Sequence, residues 1–193
     1  MHGLHAAMAT GVVAVALVFA SAAPVEAAGA GTARASQASC LAADAAAAET
    51  RRFQRAVLCT HNVVRRERGL RRLRLNPDLS RVAARYARDM VSRHYFAHLS
   101  PDRRDHMDRI AASAYRPDAG CWTAGENLFF SRVSSTPGQL LGAWLSSASH
   151  RRNVLRPGWR DFGVGVVGMS PQGDPGGLTV VALFGTRSDR ACA

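Results

Sequence analysis

The spacing of apolar residues changes period once along this chain, and that change fixes the class of fold. Up to about His150 the apolar positions recur every three or four residues, as on one face of a helix; after Pro157-Gly158 they alternate. Phe162, Val164 and Val166 then project to one side of a strand, and Gly163, Gly165 and Val167 to the other. Residues 170–177 form a Pro- and Gly-rich turn, and residues 178–184 are a second, Val-rich run, so the two runs are expected to pair as an antiparallel hairpin. Small Gly on one face invites a helix to pack closely. With one further strand expected at residues 127–131, helices first and a hairpin last predict an α+β domain, an α-β-α sandwich with a small antiparallel sheet between helices.

The helices have their own signals. Residues 49–69 carry Phe53, Val57, Thr60 and Val64 on one stripe, with Gly69 as the stop and the arginines expected on the opposite face. The second helix is capped by Asn76, takes Pro77 in its first turn, buries Leu79, Val82, Ala83, Tyr86, Ala87 and Met90, and ends near Arg93. A shorter third, over residues 104–114, is expected to bury Met107, Ile110 and Ala111. Thr136-Pro137-Gly138-Gln139 has the spacing of a capping box and starts a fourth, which turns Leu140, Leu141, Trp144 and Leu145 inward and delivers the chain to His150.

Residues 1–27 read as a secretory signal peptide, with a weakly polar to apolar run from Gly11 to Ala23 and a small-residue cleavage site at Val25-Glu26-Ala27. The run is shorter than the roughly 20 residues that span a bilayer. Its start holds His2 and His5 but no Arg, which leaves an uncleaved anchor as the alternative. Residues 28–48 are mostly Ala, Gly, Ser and Thr and form a flexible lead that cannot bury enough apolar area to order itself. Residues 49–187 make one domain, and residues 188–193 a tail. No transmembrane span is expected after cleavage, and a monomer is.

Export would give the four cysteines an oxidising setting. Of three possible connectivities, Cys40–Cys59 with Cys121–Cys192 is favoured because each bond ties a terminus onto the domain body. All 25 basic residues are Arg and the formal net charge is +11. That charge could attract an anionic envelope polymer or lipid headgroup, but an Arg-only, Ala-rich composition is more simply a compositional bias. No nucleic-acid module is present, so no specific nucleic acid is expected.

Three polar segments hold the only evident chemistry: His98-Leu99-Ser100-Pro101, Gly125-Glu126-Asn127, and Ser147 through Asn153 with His150 at its centre. Two imidazoles and one carboxylate suffice as a protein ligand set for zinc, and without metal the same trio could supply a general base oriented by Glu126. Alternatively His98 and Glu126 satisfy each other and nearby amides, with Ser100 capping the helix after Pro101 and Asn127 tying down its turn. His94 lies four residues before His98, but the helix is already ending there. His61 and His106 read as solvent-facing, and Trp144 and Trp159 as core, with Trp122 in a loop beside Gly125. No Gly-x-Ser-x-Gly elbow marks a serine nucleophile.

Read together, Asn62-Val63-Val64-Arg65 with Gly69-Leu70, Asn76-Pro77-x-Leu79, Tyr95 through Asp102, Gly125-Glu126-Asn127-Leu128, Ala143-Trp144 with Ser147-x-x-His150-Arg151-x-Asn153-Val154-Leu155, and Phe162-Gly163-Val164-Gly165 resemble the bacterial branch of the CAP superfamily. This is the SCP-like extracellular domain of cysteine-rich secretory, antigen and pathogenesis-related proteins. The resemblance runs from about residue 55 to 185 and implies secretion and an α-β-α sandwich. It implies a cleft lined by two histidines and two acidic residues, onto which His98 and Glu126 carry over, with His150 matching the bacterial motif. The last histidine has no counterpart in Leu178-Thr179-Val180-Val181-Ala182, and Arg103 replaces the Gly that follows Ser-Pro-Asp in the family. The expected function is therefore a secreted domain whose cleft, with His98, Glu126, His150, Ser100 and Asn127, binds a small ligand, lipid, envelope component or metal ion. His98, His150 and Glu126 would be the zinc ligands, although no cofactor is required. The alternative is a metal-assisted extracellular hydrolase of peptides or glycans.

Overall fold

The computed structural model describes residues 50–188. Its elements in chain order are α1 (Thr50–Glu67), β1 (Arg74–Leu75), α2 (Pro77–Ser92), α3 (His106–Ala111), β2 (Cys121–Ser131), α4 (Pro137–Ser146), α5 (Ala148–Leu155), β3 (Asp161–Val167) and β4 (Leu178–Ser188). The strands form one sheet in the order β1-β3-β4-β2. Both β2 and β3 run antiparallel to β4, whereas β1 runs parallel to β3. The expected antiparallel sheet is present as β3-β4-β2, and the two residues of β1 add a parallel edge beside β3 as the chain passes from α1 to Asn76.

Helices cover both faces. Phe53, Val57 and Val64 of α1, Leu140, Leu141 and Trp144 of α4 and Val154 of α5 pack against Phe162, Val164, Val180, Ala182 and Phe184. On the other face α2 and Ile110 of α3 meet Leu128, Val181 and Leu183. Alternate residues of β4 therefore feed two different cores, as the pleat requires. A β-carbon at Gly163 would fall inside the Leu79 backbone of α2, and one at Gly165 inside the Ala83 carbonyl, so these glycines set how close α2 lies to the sheet.

The caps fix where helices begin. Asn76 accepts from the amides of Asp78 and Leu79, and Thr136 with Gln139 forms the expected capping box. Gly69 follows α1 in the left-handed region at φ 65°. The third helix is shorter than expected, because Asp105 and Asp108 close a capping box that starts it at His106, and only Ile110 of its three expected core residues is buried. Leu145 of α4 is only partly buried. β2 extends back to Cys121, carrying Trp122 out of its expected loop onto the strand.

Two residues of α1 reverse their expected placement. His61 is fully buried among Trp144, Phe162 and Phe184, with its ring centroid 4.9 Å from that of Phe162. Its Nδ1 lies 2.7 Å from the Val57 carbonyl, and burial pushes its pKa down to about 4, so it sits in the core as a neutral, hydrogen-bonded ring. Arg65, expected on the outer face, is also fully buried. Its Nε donates to the Arg71 carbonyl at 2.9 Å, and its Nη1 to those of Val154 and Arg156 at 2.9 and 3.0 Å. The expected leader, lead segment and tail from residue 189 lie outside the described residues, as do Cys40 and Cys192; neither Cys59 nor Cys121 is a free thiol.

Candidate functional site

Glu126 and Asn127 are neighbours on the edge strand β2, so their side chains leave the sheet on opposite faces. Asn127 reaches toward α5, where its Nδ2 donates to the His150 carbonyl at 3.1 Å and its Oδ1 accepts from Asn153 Nδ2 at 2.9 Å. Asn153 also donates to the Glu126 carbonyl at 3.0 Å. A β-carbon at Gly125 would stand 3.0 Å from Asn153 Oδ1 and from the Trp159 ring, so the glycine before Glu126 is what admits Asn153. This polar lattice clamps the helix carrying His150 to the strand carrying Glu126.

On the other face Glu126 meets the loop after α2. Its side chain is 1% exposed; Oε1 lies 2.8 Å from His98 Nδ1, and Oε2 accepts from Arg109 Nη2 at 2.7 Å. A carboxylate so buried needs this second partner, since desolvation disfavours its charge. Arg109 is fixed in turn: its guanidinium lies 3.3 Å over the Tyr86 ring, Nη1 donates to the Arg104 carbonyl at 2.6 Å, and Nη2 also reaches the His98 carbonyl at 3.2 Å. Tyr86 Oη donates to the Ala97 carbonyl at 2.6 Å. The loop is thus tied at Ala97, His98 and Arg104, which aims His98 at the strand.

The His98 side chain is 55% exposed. In the neutral ring Nδ1 donates to Glu126 and Nε2 is left as an acceptor; in the protonated ring both nitrogens donate. His150 lies near enough for the charge on His98 to act on it; burial first, then that charge, hold its pKa below the usual imidazole value. His150 is therefore uncharged at neutral pH, beside a histidine backed by a buried, neutralised carboxylate. The structure pairs His98 with Glu126 directly and sets His150 within electrostatic reach of His98.

Ser100 is placed differently from expectation. It is buried at the turn, where its Oγ accepts from the Arg104 amide at 3.1 Å, and the cap of the following helix is Asp105 instead. That turn explains Arg103, which stands in the left-handed region at φ 57°, the conformation in which a glycine costs nothing. Arg109 is not singled out by sequence, because nothing in the spacing separates it from the other arginines. His94 turns away, its Nδ1 3.1 Å from the Pro171 carbonyl. Among the described residues no three His, Cys, Asp or Glu side chains are gathered as a metal ion requires, and no helix is long and apolar enough to cross a membrane.

A three-layer α-β-α domain with a histidine–glutamate pair at the free edge of its sheet defines the class of protein. Residues 58–184 match the model of the cysteine-rich secretory protein family, CAP, and the chain belongs to that family. It is 32% identical over 117 residues to the uncharacterized protein YkwD of Bacillus subtilis strain 168, and 30% over 113 residues to the uncharacterized membrane protein YlbC of the same strain. These matches cover 60% and 58% of this chain but 42% and 31% of the relatives, so the chain spans less than half of either. Among solved structures it resembles an outer surface protein from Borrelia burgdorferi, with a TM-score of 0.57 and 20% identity over 68% of this chain and 90% of that one. It also resembles an extracellular SCP-domain protein of Bacillus anthracis, with a TM-score of 0.56 and 24% identity over 70% of this chain and 43% of that one. These likenesses show a shared fold.

Proposed function

We propose that the chain is an exported binding module whose cleft, formed by His98, Glu126 and His150, takes a small polar ligand, lipid headgroup or envelope component. The observation that carries this reading is the saturation of Glu126: both carboxylate oxygens are engaged inside the protein, by His98 and Arg109. The carboxylate is therefore spent on orienting His98, whose outward Nε2 in the neutral ring accepts from a ligand hydroxyl or amide, while His150 offers an uncharged imidazole of its own. Ser100 and Asn127 hold the walls rather than touch the ligand. The family match, the secretory-type leader in the sequence and the described surface and extracellular relatives support export. Disulfides Cys40–Cys59 and Cys121–Cys192 belong to the same reading.

For zinc the donor set fits poorly. The Arg109 guanidinium sits 2.7 Å from Glu126 Oε2, so a divalent cation would have to displace or tolerate that positive charge. The alternative of a metal-assisted hydrolase for peptides or glycans shares this difficulty. It draws its support from the His98–Glu126 pair, which has the base-and-orienter geometry of water activation. Native mass spectrometry of the full chain purified from its producing cells' medium tests the binding reading. A bound small molecule lost in His98→Ala supports it; equal loading of both proteins, or no loading of either, overturns it. Zinc uptake by calorimetry that disappears in His98→Ala would favour the hydrolase.

A further inference from the structure

Behind Arg109, on the side of α2, lies a second pocket of about 540 Å³ that contains none of the three cleft residues. Its walls come from α2 through Arg85, Tyr86 and Asp89, from the loop through Ser100, Asp102 and Arg104, and from α3 through Arg109 and Ala112. Three arginines and two aspartates line it, and the two aspartates share one arginine from outside it. Arg93, which does not line the pocket, grips Asp102 through both oxygens at 2.7 and 3.1 Å and stands 3.6 Å from Asp89, whose other oxygen accepts from Tyr95. Arg109 is committed to Glu126 through Nη2, yet its Nε–H is buried without a partner among the described residues. Arg85 makes no ion pair or hydrogen bond among the described residues, and the side chain of Arg104 makes only a 3.5 Å contact with the Asp108 carbonyl. The pocket therefore keeps two uncommitted guanidinium groups and an orphan N–H, beside carboxylate oxygens able to accept further hydrogen bonds.

We propose that this pocket is a binding site for an anionic sugar unit, with Arg85 and Arg104 holding its phosphate or carboxylate and Asp89 and Asp102 accepting from its hydroxyls. The volume lies within the range of small-molecule sites. Guanidinium forks are the side chains best shaped for planar or tetrahedral oxyanions. The carboxylates argue for hydroxyls on the ligand, since a bare anion would gain nothing from them and be repelled. Because Arg109 is the wall between pocket and cleft, occupancy here would be felt at Glu126, although the proposal stands whether or not the cleft binds anything.

The test uses the oxidised full chain and amide NMR titration with glucose 6-phosphate, glucuronate, glucose and inorganic phosphate. Saturable shifts clustered at Arg85, Ser100, Arg104 and Ala112 with one of the two charged sugars are expected, and which one binds tells phosphate from carboxylate. The variant Arg85→Ala/Arg104→Ala, which removes two uncommitted side chains, should weaken that binding by about tenfold or more. Ala112→Phe, which fills the pocket without touching a charge, should abolish it. Glucose binding as tightly as the charged sugars overturns the anion assignment. Inorganic phosphate binding as tightly leaves an adventitious ion only. Absence of binding by all four, or binding unchanged in both variants, overturns the site.

Discussion

His61 places an ionisable ring where no water reaches, and the consequence can be worked through to a number. In the unfolded chain it titrates near 6.5, while in the folded core its pKa is pushed down to about 4, with loss of hydration outweighing the help of the Val57 carbonyl. Arg65, one turn on, also opposes a charge there, and the other facing rings, Trp144, Phe162 and Phe184, are uncharged. A depressed folded pKa means that the contribution of this group to stability is complete above 6.5, falls as pH drops toward about 4, and levels off below. Between pH 7 and about pH 4.5 the loss from this one residue is about 2–3 kcal/mol, at about 1.4 kcal/mol per pKa unit. His61→Leu removes the proton site at similar volume and deletes an unpartnered Nε2, so at pH 7 it should change stability by less than about 1.5 kcal/mol. The assay is urea unfolding of both proteins, disulfides intact, at the two pH values. The variant should gain about 2–3 kcal/mol relative to the parent on acidification. Carboxylates titrate in both proteins and cancel, so a difference that stays constant between the two pH values refutes the reasoning.

Other outcomes follow from the packing. Gly165→Ala must push α2 off the sheet and should cost more than about 3 kcal/mol or prevent folding, whereas Gly142→Ala, whose β-carbon meets nothing within 4 Å, should stabilise α4 by about 1 kcal/mol; thermal melting of the pair separates the two. Arg109→Met strands the buried Glu126 and should cost about 3–5 kcal/mol, and adding Glu126→Gln should recover part of it, read as a coupling energy by denaturant titration. Arg103→Gly relieves a left-handed residue and should raise the melting temperature by about 2 °C; a lower value would show that the side chain contributes more than its backbone costs.

Where caps and stripes coincide, the sequence is sufficient. Asn76 with Pro77 and Thr136 with Gln139 locate α2 and α4 because those signals are local and act on the backbone directly. The short α5 lacks a side-chain cap, and the front half of β2 is a strand only because residues 184–188 pair with it. Neither is visible in local sequence. His61 and Arg65 lie on the stripe of Val57 and Val64 by spacing, at the fourth and eighth positions after Val57, and read as outward-facing only because their side chains are polar. The pairing of His98 with Glu126 is legible from family motifs, whereas Arg109, which neutralises the carboxylate, is one arginine among many.

That abundance hides a practical distinction. The chain has no lysine, so side-chain amine chemistry for labelling or immobilisation has to be introduced by exchange of arginines. Arg55 and Arg66 are exposed on α1 and open to such exchange. Arg65, their neighbour, is closed to it: its flat cation holds three carbonyls from two separate stretches, and a single rotating ammonium on a shorter reach could not serve all three, leaving the end of the His150 helix unmoored.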